Sequence, residues 1–548
     1  MQPALRTFGT SSMEVSMPQL PENPNLDHLK KQSKDLLRLY QTQNAEAFER
    51  FRKSLPAAAD KDDDAIAALG LKLHDAQSCV AREYGLPAWQ NLRNYVDWCK
   101  SKLSTERKDV IALWLHKAYG HDNEREDPDF AARQLRQIPD FVQGDLHLAC
   151  AIGDEETVRR AIAADPSCVN RINSPWRCPG CKRNLGMPPL FAVAHTTLLR
   201  LPLFRGQLRR CARLLLDAGA DPNQSWRDRE SDPLLSSLYG AAGKNHDPEM
   251  TRMLLEAGAN ANDYESLYHA IETHDRICMR LLLEAGAKVE VSNALHHQLD
   301  KDDIDGLRLL LQYTKDVNDP GSSIGRPLIW AIRRRRSIAH VVALLEAGAD
   351  PAVKTKDGVS AYLFALHYGM QEVAELLRNA GGDDTLSVED QFVVACARVD
   401  EKEARRILAA HPNIFSRMSE VQLRQLPNLA ETRRNDQAVR LMVKLGWPIT
   451  VHGGDWSASA LNLAVYRGNA ALTRFLLEHG ASWTERHGHD GNASGILGWA
   501  SRNEPPRGDW VGCAKALVDH GMPIPVKTDD YSKEVAAYFE EVRGLEDL

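Results

Sequence analysis

Aromatic residues are scarce, only 7% of 548, so a 43% hydrophobic content must pack mainly through Leu and Ala. No apolar run approaches the roughly 18 residues that a membrane-crossing helix needs, which excludes a spanning helix, and no membrane partner is expected. Residues 1–20 lack a basic start followed by an apolar stretch, so no secretory signal is expected. The ten cysteines then suit a reducing cytosol rather than a disulfide framework, and the expected location is cytoplasmic. An excess of one charge is also lacking. With 68 basic against 75 acidic residues the formal charge is -7, which disfavours a nucleic-acid partner and leaves any basic contact surface local. Finally, there is no Gly-x-Ser-x-Gly, no phosphate loop followed by Lys and Ser or Thr, and no His-Glu-x-x-His. The expectation is a chain that is not an enzyme, with no cofactor and no small-molecule substrate.

What the chain does have is one phrase, a Leu run followed by a small-residue turn. It reads LLLDAGA at 214–220, LLEAGA at 254–259, LLLEAGA at 281–287, LLEAGA at 344–349 and LLEHGA at 476–481, with looser copies ending at Gly381, Gly446 and Gly521. The glycine spacings centre near 33 once gaps of 62 and 65 are read as doubled. About a dozen residues upstream of each copy lies a second helical phrase, clearest as PPLFAVA at 188–194, RPLIWAI at 326–332 and SALNLAVYRG at 459–468. Each unit therefore reads helix, turn, helix, loop. Glycine after the Leu run suits a left-handed helix C-cap, and proline suits the first turn of the first helix. One such pair cannot bury its apolar stripe alone, so stacking of pairs is required.

These residues resemble the ankyrin repeat, whose consensus has a Thr-Pro-Leu-His start, an Ala-Ala and a Leu-Leu-x-x-Gly-Ala end. The resemblance covers roughly 70% of the chain. It implies an all-α solenoid of about eleven helix-turn-helix units, spanning 144–175, 188–223, 232–262, 265–290, 293–318, 326–351, 358–384, 388–414, 421–449, 459–484 and 494–525. The start survives only as PPLF, DPLL, RPLI or SALN, and the inter-repeat histidine is expected only as His296. The eighth and ninth units are weakest. Around the array, 1–20 is expected to be a disordered N-terminus, 21–103 a small helical module, 104–143 a connector, 144–526 the array and 527–548 a capping helix. Residues 75–96 (DAQSCVAREYGLPAWQNLRNYV) resemble the helical segment N-terminal to the arrays of many bacterial ankyrin-repeat proteins.

The sharpest chemical motif is Cys178-Pro179-Gly180-Cys181, with Cys168, His195 and Cys211 nearby in sequence. A pair of cysteines two residues apart supplies half of a tetrahedral zinc site or a low-pKa redox thiol, and an ordinary turn with two reduced thiols has the same spelling. His487-Gly488-His489-Asp490 and His452-Gly453-Gly454-Asp455 read as solvated loops that could approach a metal. Arg333, Arg334, Arg335 and Arg336 close the first helix of the sixth unit, where cations favour a helix C-terminus, grip an acidic partner or hold phosphate.

In a stacked array the exposed ends of the first helices and the loop tips are free for recognition. Aligning the units places the pairs His195-Thr196, Tyr239-Gly240, Glu272-Thr273, Arg333-Arg334, His367-Tyr368, Tyr466-Arg467 and Arg502-Asn503 there, with Trp226, Trp456 and Trp483 in or near adjoining loops. Tyr, Trp and Arg are the types enriched in interface hot spots. The functional expectation is therefore a non-catalytic scaffold that binds a protein partner on a concave face. Its alternatives are a zinc or redox protein centred on Cys178 and Cys181, and an enzyme with a histidine and carboxylate surface site.

Overall fold

A computed structural model describes residues 20, 24–86, 88–102, 107–120, 126–135, 138, 140–172, 187–227, 234–319, 325–382, 385–503 and 508–546. Helix at 63% against 2% strand makes the protein all-α. The chain divides into two compact units, residues 1–273 with 277–285, and residues 274–276 with 286–548.

The first unit begins with helices Leu26–Gln41, Ala45–Ser54, Leu73–Glu83 and Trp89–Lys102. Asn25 starts the first of them by accepting the backbone N–H groups of Asp27 and His28, which would otherwise lack partners. Tyr40 meets Phe48 and Phe51 edge-on and donates its hydroxyl to the Ile66 and Ala67 carbonyls, so a buried phenol keeps its hydrogen bond. Helix pairs follow, Leu146–Ile152 with Glu155–Ala164 and Pro189–His195 with Pro202–Asp217. Next, Ser237–Tyr239 runs into a single π turn, Gly240–Lys244, ahead of Pro248–Glu256, and Glu265–Ala270 precedes Ile277–Glu284. First helices pack on first helices and second helices on second helices.

In the second unit the pairs are Ala294–Asp300 with Ile304–Leu311, Pro327–Arg333 with Ile338–Glu346, Ala361–His367 with Gln371–Asn379, and Val388–Ala397 with Glu401–Ala410. Three short helices, Ile414–Arg417, Glu420–Leu423 and Gln425–Ala430, then lead to Asp436–Lys444. The last pairs are Ala460–Tyr466 with Ala470–Glu478 and Ala493–Asn503 with Trp510–Asp519, followed by Lys533–Glu546. The glycines of the recurring phrase do what their position requires: Gly219, Gly258, Gly286, Gly348, Gly381, Gly446, Gly480 and Gly521 all have φ between 89° and 98°. Loops between pairs form short fingers, an antiparallel ladder of His452–Gly453 with Ala458–Ser459 and single bridges at Trp226 with Leu235 and Lys354 with Ser360.

Candidate functional site

An aromatic groove lies near the end of the second unit. Ser459 caps helix Ala460–Tyr466 by accepting the Asn462 N–H, which fixes where that seven-residue helix starts and so places Tyr466 in its last turn. The Tyr466 ring stacks on Trp499 at 5.9 Å with only 15° between planes, and Trp456 from the finger meets Tyr466 edge-on at 5.4 Å. Trp499 remains 50% exposed, so one face of this stack is open. Beside it runs a groove of about 630 Å³ lined by Trp483, Trp499, Arg502, Pro525, Val526 and Tyr531, among others. Gly498 allows its wall to form, since a Cβ there would lie 2.9 Å from the Asp530 carbonyl oxygen. Ser494 and Tyr531 close the same wall with a 2.8 Å hydroxyl pair, and Val526 projects from it 87% exposed. Flat aromatic faces, proline walls and the exposed cations Arg502 and Lys527 offer apolar burial, stacking and directional hydrogen bonds.

Several residues chosen from the sequence as exposed edges sit elsewhere. His367 and Tyr368 are each 1% exposed, and Arg467 pairs with Asp436 at 3.0 Å with its side chain 10% exposed. The cause is helix length. The first helices are about seven residues long, so the aligned position falls on the final turn and points into the neighbouring pair. His195 shows this most directly: it is 3% exposed, its Nε2 lies 2.7 Å from the Ser236 carbonyl, and any Cβ on Gly240 would strike its ring. Tyr239 is half-buried, its phenol pushed up to about 12 by burial and then by Glu265, Glu126 and Glu272. Trp226 is half-buried against Phe191, with ring centroids 5.3 Å apart. Arg502 and Asn503 are exposed as expected.

The arginine run is partitioned rather than solvated. Arg333 reaches Asp455 at 2.5 Å, while Arg334 reaches Asp300 at 2.7 Å, Asp455 at 3.3 Å and Glu431 at 3.6 Å and lies 4.3 Å over the Trp330 ring. Burial pushes the Glu431 carboxyl up against the pull of Arg333 and Arg334, with Asp455 adding to the rise. An external acidic partner would have to displace these internal carboxylates. Arg335 and Arg336 face other surroundings.

The pair Cys178 and Cys181 lies outside the described residues. Cys79, Cys150, Cys168, Cys211, Cys278, Cys396 and Cys513 are free and buried. Burial first, then neighbouring carboxylates, pushes Cys211 to about 12, and burial followed by Cys211 and Cys168 raises Cys150. Such thiols are inert rather than redox-poised. Among the described residues no group of three His, Cys, Asp or Glu is placed to hold a metal. The histidines proposed for an enzyme site do not gather around carboxylates in a cleft. His195 stacks on Phe191 at 3.6 Å; His367 Nε2 donates to the Asp390 carboxylate at 3.0 Å inside the core; His489 lies exposed with its ring 5.9 Å from that of His487.

Two features escaped the sequence reading. Trp499 lies three residues before the aligned pair, on a helical face that meets Tyr466 of the neighbouring pair. Inter-repeat histidine bonds are also commoner than expected, since His195 makes one as well as His296, whose Nε2 lies 2.6 Å from the Gly325 carbonyl. Neither a family model nor a curated protein matches this sequence.

Proposed function

We propose that the chain is a non-catalytic scaffold of ankyrin-type repeats whose partner is a protein, held as an extended, proline-bearing segment along the Trp483 and Trp499 groove. Support for the repeat reading comes from the recurring short first helix, the left-handed glycine cap and the hairpin fingers. The observation that carries the binding reading is Trp499, half-exposed and stacked flat on Tyr466 at the rim of the groove. Extended proline segments lose little entropy on docking and present flat pyrrolidine faces to tryptophan and tyrosine, which is the chemistry this groove offers. Free, buried cysteines favour a cytosolic setting for such a scaffold.

The test is binding of the full-length chain to a panel of proline-bearing peptides and their alanine-substituted counterparts. Trp499→Ala is expected to weaken proline-peptide binding by about tenfold or more, the scale of a hot-spot truncation, with the melting temperature unchanged. Equal binding by the variant would remove the groove from the proposal, and indifference of the wild-type chain to proline would remove the occupant.

A further inference from the structure

The other half of the arginine run opens a second site. Helix Pro327–Arg333 ends at Arg334, and Arg335 then takes a left-handed φ of 52°, which turns the chain so that Arg335 and Arg336 leave the carboxylate side occupied by Arg333 and Arg334. They line a pocket of about 360 Å³ together with Arg434, Ser337, Gln371 and Glu372, among others.

The electrostatics of this pocket are incomplete. Arg335 donates to the Tyr368 carbonyl but has no carboxylate within ion-pair range, and its Nε is buried without an acceptor. Arg434 makes no hydrogen bond or ion pair with any described residue. Arg336 reaches Asp302 at 3.7 Å, a carboxylate whose side chain is 68% exposed, and otherwise bonds the Arg334 carbonyl. Glu372 is the one acidic residue in the lining and is solvent-exposed. Burial and then the Arg434 charge lower the Arg335 pKa, so these guanidinium groups crowd each other at a cost in free energy.

Uncommitted donors point the same way. Gln371 Nε2 is buried without an acceptor. Gln371 also opens the nine-residue helix Gln371–Asn379, whose N-cap is Met370, a side chain that makes no capping bond. Its first-turn N–H groups therefore add positive potential to the arginine cluster.

We propose that Arg335, Arg336 and Arg434 form a binding site for a tetrahedral oxyanion, either inorganic phosphate or the terminal phosphoryl group of a phosphomonoester. Guanidinium forks match phosphoryl oxygens, and an anion would both neutralise the mutual repulsion and accept from the buried Arg335 Nε and Gln371 Nε2. The pocket lining holds no aromatic residue, so it offers no stacking platform for a nucleobase and recognises the phosphoryl group itself.

Isothermal titration of the full-length chain with inorganic phosphate and, separately, with glycerol 3-phosphate, both at fixed ionic strength, tests the site. Saturable binding at one site is expected; comparable affinity for the two assigns the site to the free ion, and clear preference for the ester assigns it to a phosphorylated metabolite. Arg434→Glu, an exposed replacement, is expected to weaken binding by about tenfold or more, and Gln371→Ala by a smaller factor. Arg160→Glu, an exposed charge reversal in the first unit, is expected to leave binding unchanged. The proposal is overturned if neither ligand gives saturable binding, if Arg434→Glu binds as the wild type does, or if Arg160→Glu weakens binding as much.

Discussion

Residues 170–350 and residues 387–459 solve the same problem, joining one helix pair to the next, by different means. In the first stretch an asparagine side chain bridges forward to the next glycine cap: Asn170 Nδ2 donates to the Gly219 carbonyl while its Oδ1 accepts the Asp221 N–H, and Asn223 treats Gly258 and Asn260 the same way. Asn318 repeats the bond with Gly348 and Asp350. Among the described residues of the second stretch no asparagine makes this bridge. Aromatic packing of Phe392, Phe415 and Trp447 and a charged network around Asp390 and Glu431 take its place. Regular backbone spacing lets one small amide serve these three junctions, whereas irregular helices need long side chains that reach individual partners.

The largest expected contrast lies in the cores. Trp447 stacks on Phe392 at 5.9 Å and donates its indole N–H to the Leu423 carbonyl at 2.9 Å, so Trp447→Ala removes a ring, a hydrogen bond and the support of Phe415 together. A loss of about 3–5 kcal/mol is expected. Leu282→Ala, fully buried in the regular stretch, is expected to lose about 2–5 kcal/mol, nearer the lower end if adjacent pairs relax into the cavity. Urea unfolding of both variants measures the difference, and a larger loss for Leu282→Ala would reverse the claim that aromatics carry the irregular stretch.

Next in size is an acid-sensitive tie in the irregular stretch, at Asp390. Burial alone would raise the Asp390 carboxyl, but hydrogen bonds from His367, Gln422 and Ser387 outweigh burial and hold it down at about 2. A depressed carboxylate stabilises the fold above its unfolded pKa of about 3.9, and that stability is lost as pH falls from about 4 through 2. The shift amounts to about 2 kcal/mol. Asp390→Asn is expected to flatten that part of the pH profile of stability; an unchanged acid limb would show that the network is not a tie. The asparagine bridges do not titrate and are expected to add no slope there.

The division between what could and could not be read follows from range. Left-handed caps such as Gly258 and Gly348 are legible because only the local backbone demands them. The bridges were legible too, as Cys-Val-Asn at 168–170, Asp-Pro-Asn at 221–223 and Asp-Val-Asn at 316–318, but the shared asparagine went unread beside the louder Leu run. The arginine run was visible and its partition was not. It depends on the left-handed turn at Arg335 and on Asp455, more than a hundred residues away in sequence. The exposure of Trp499 likewise depends on which face Tyr466 covers.

The smallest effect tests the bridge itself. Asn223→Ala removes two exposed hydrogen bonds, to the Gly258 carbonyl and from the Asn260 N–H, at sites where water can replace both. Each bond is worth about 0.5–1.5 kcal/mol at most, and exposure favours the lower figure, so the total loss is expected near 1 kcal/mol. Asn223→Asp separates geometry from chemistry. The carboxylate still accepts the Asn260 N–H but can no longer donate to the Gly258 carbonyl, and it faces that oxygen with like polarity. Asn223→Asp is therefore expected to destabilise at least as much as Asn223→Ala despite its near-identical shape, in matched urea unfolding at neutral pH. If the aspartate were instead neutral in effect, the forward donation to glycine would carry no weight, and the regular stretch would be joined by its Leu spine alone.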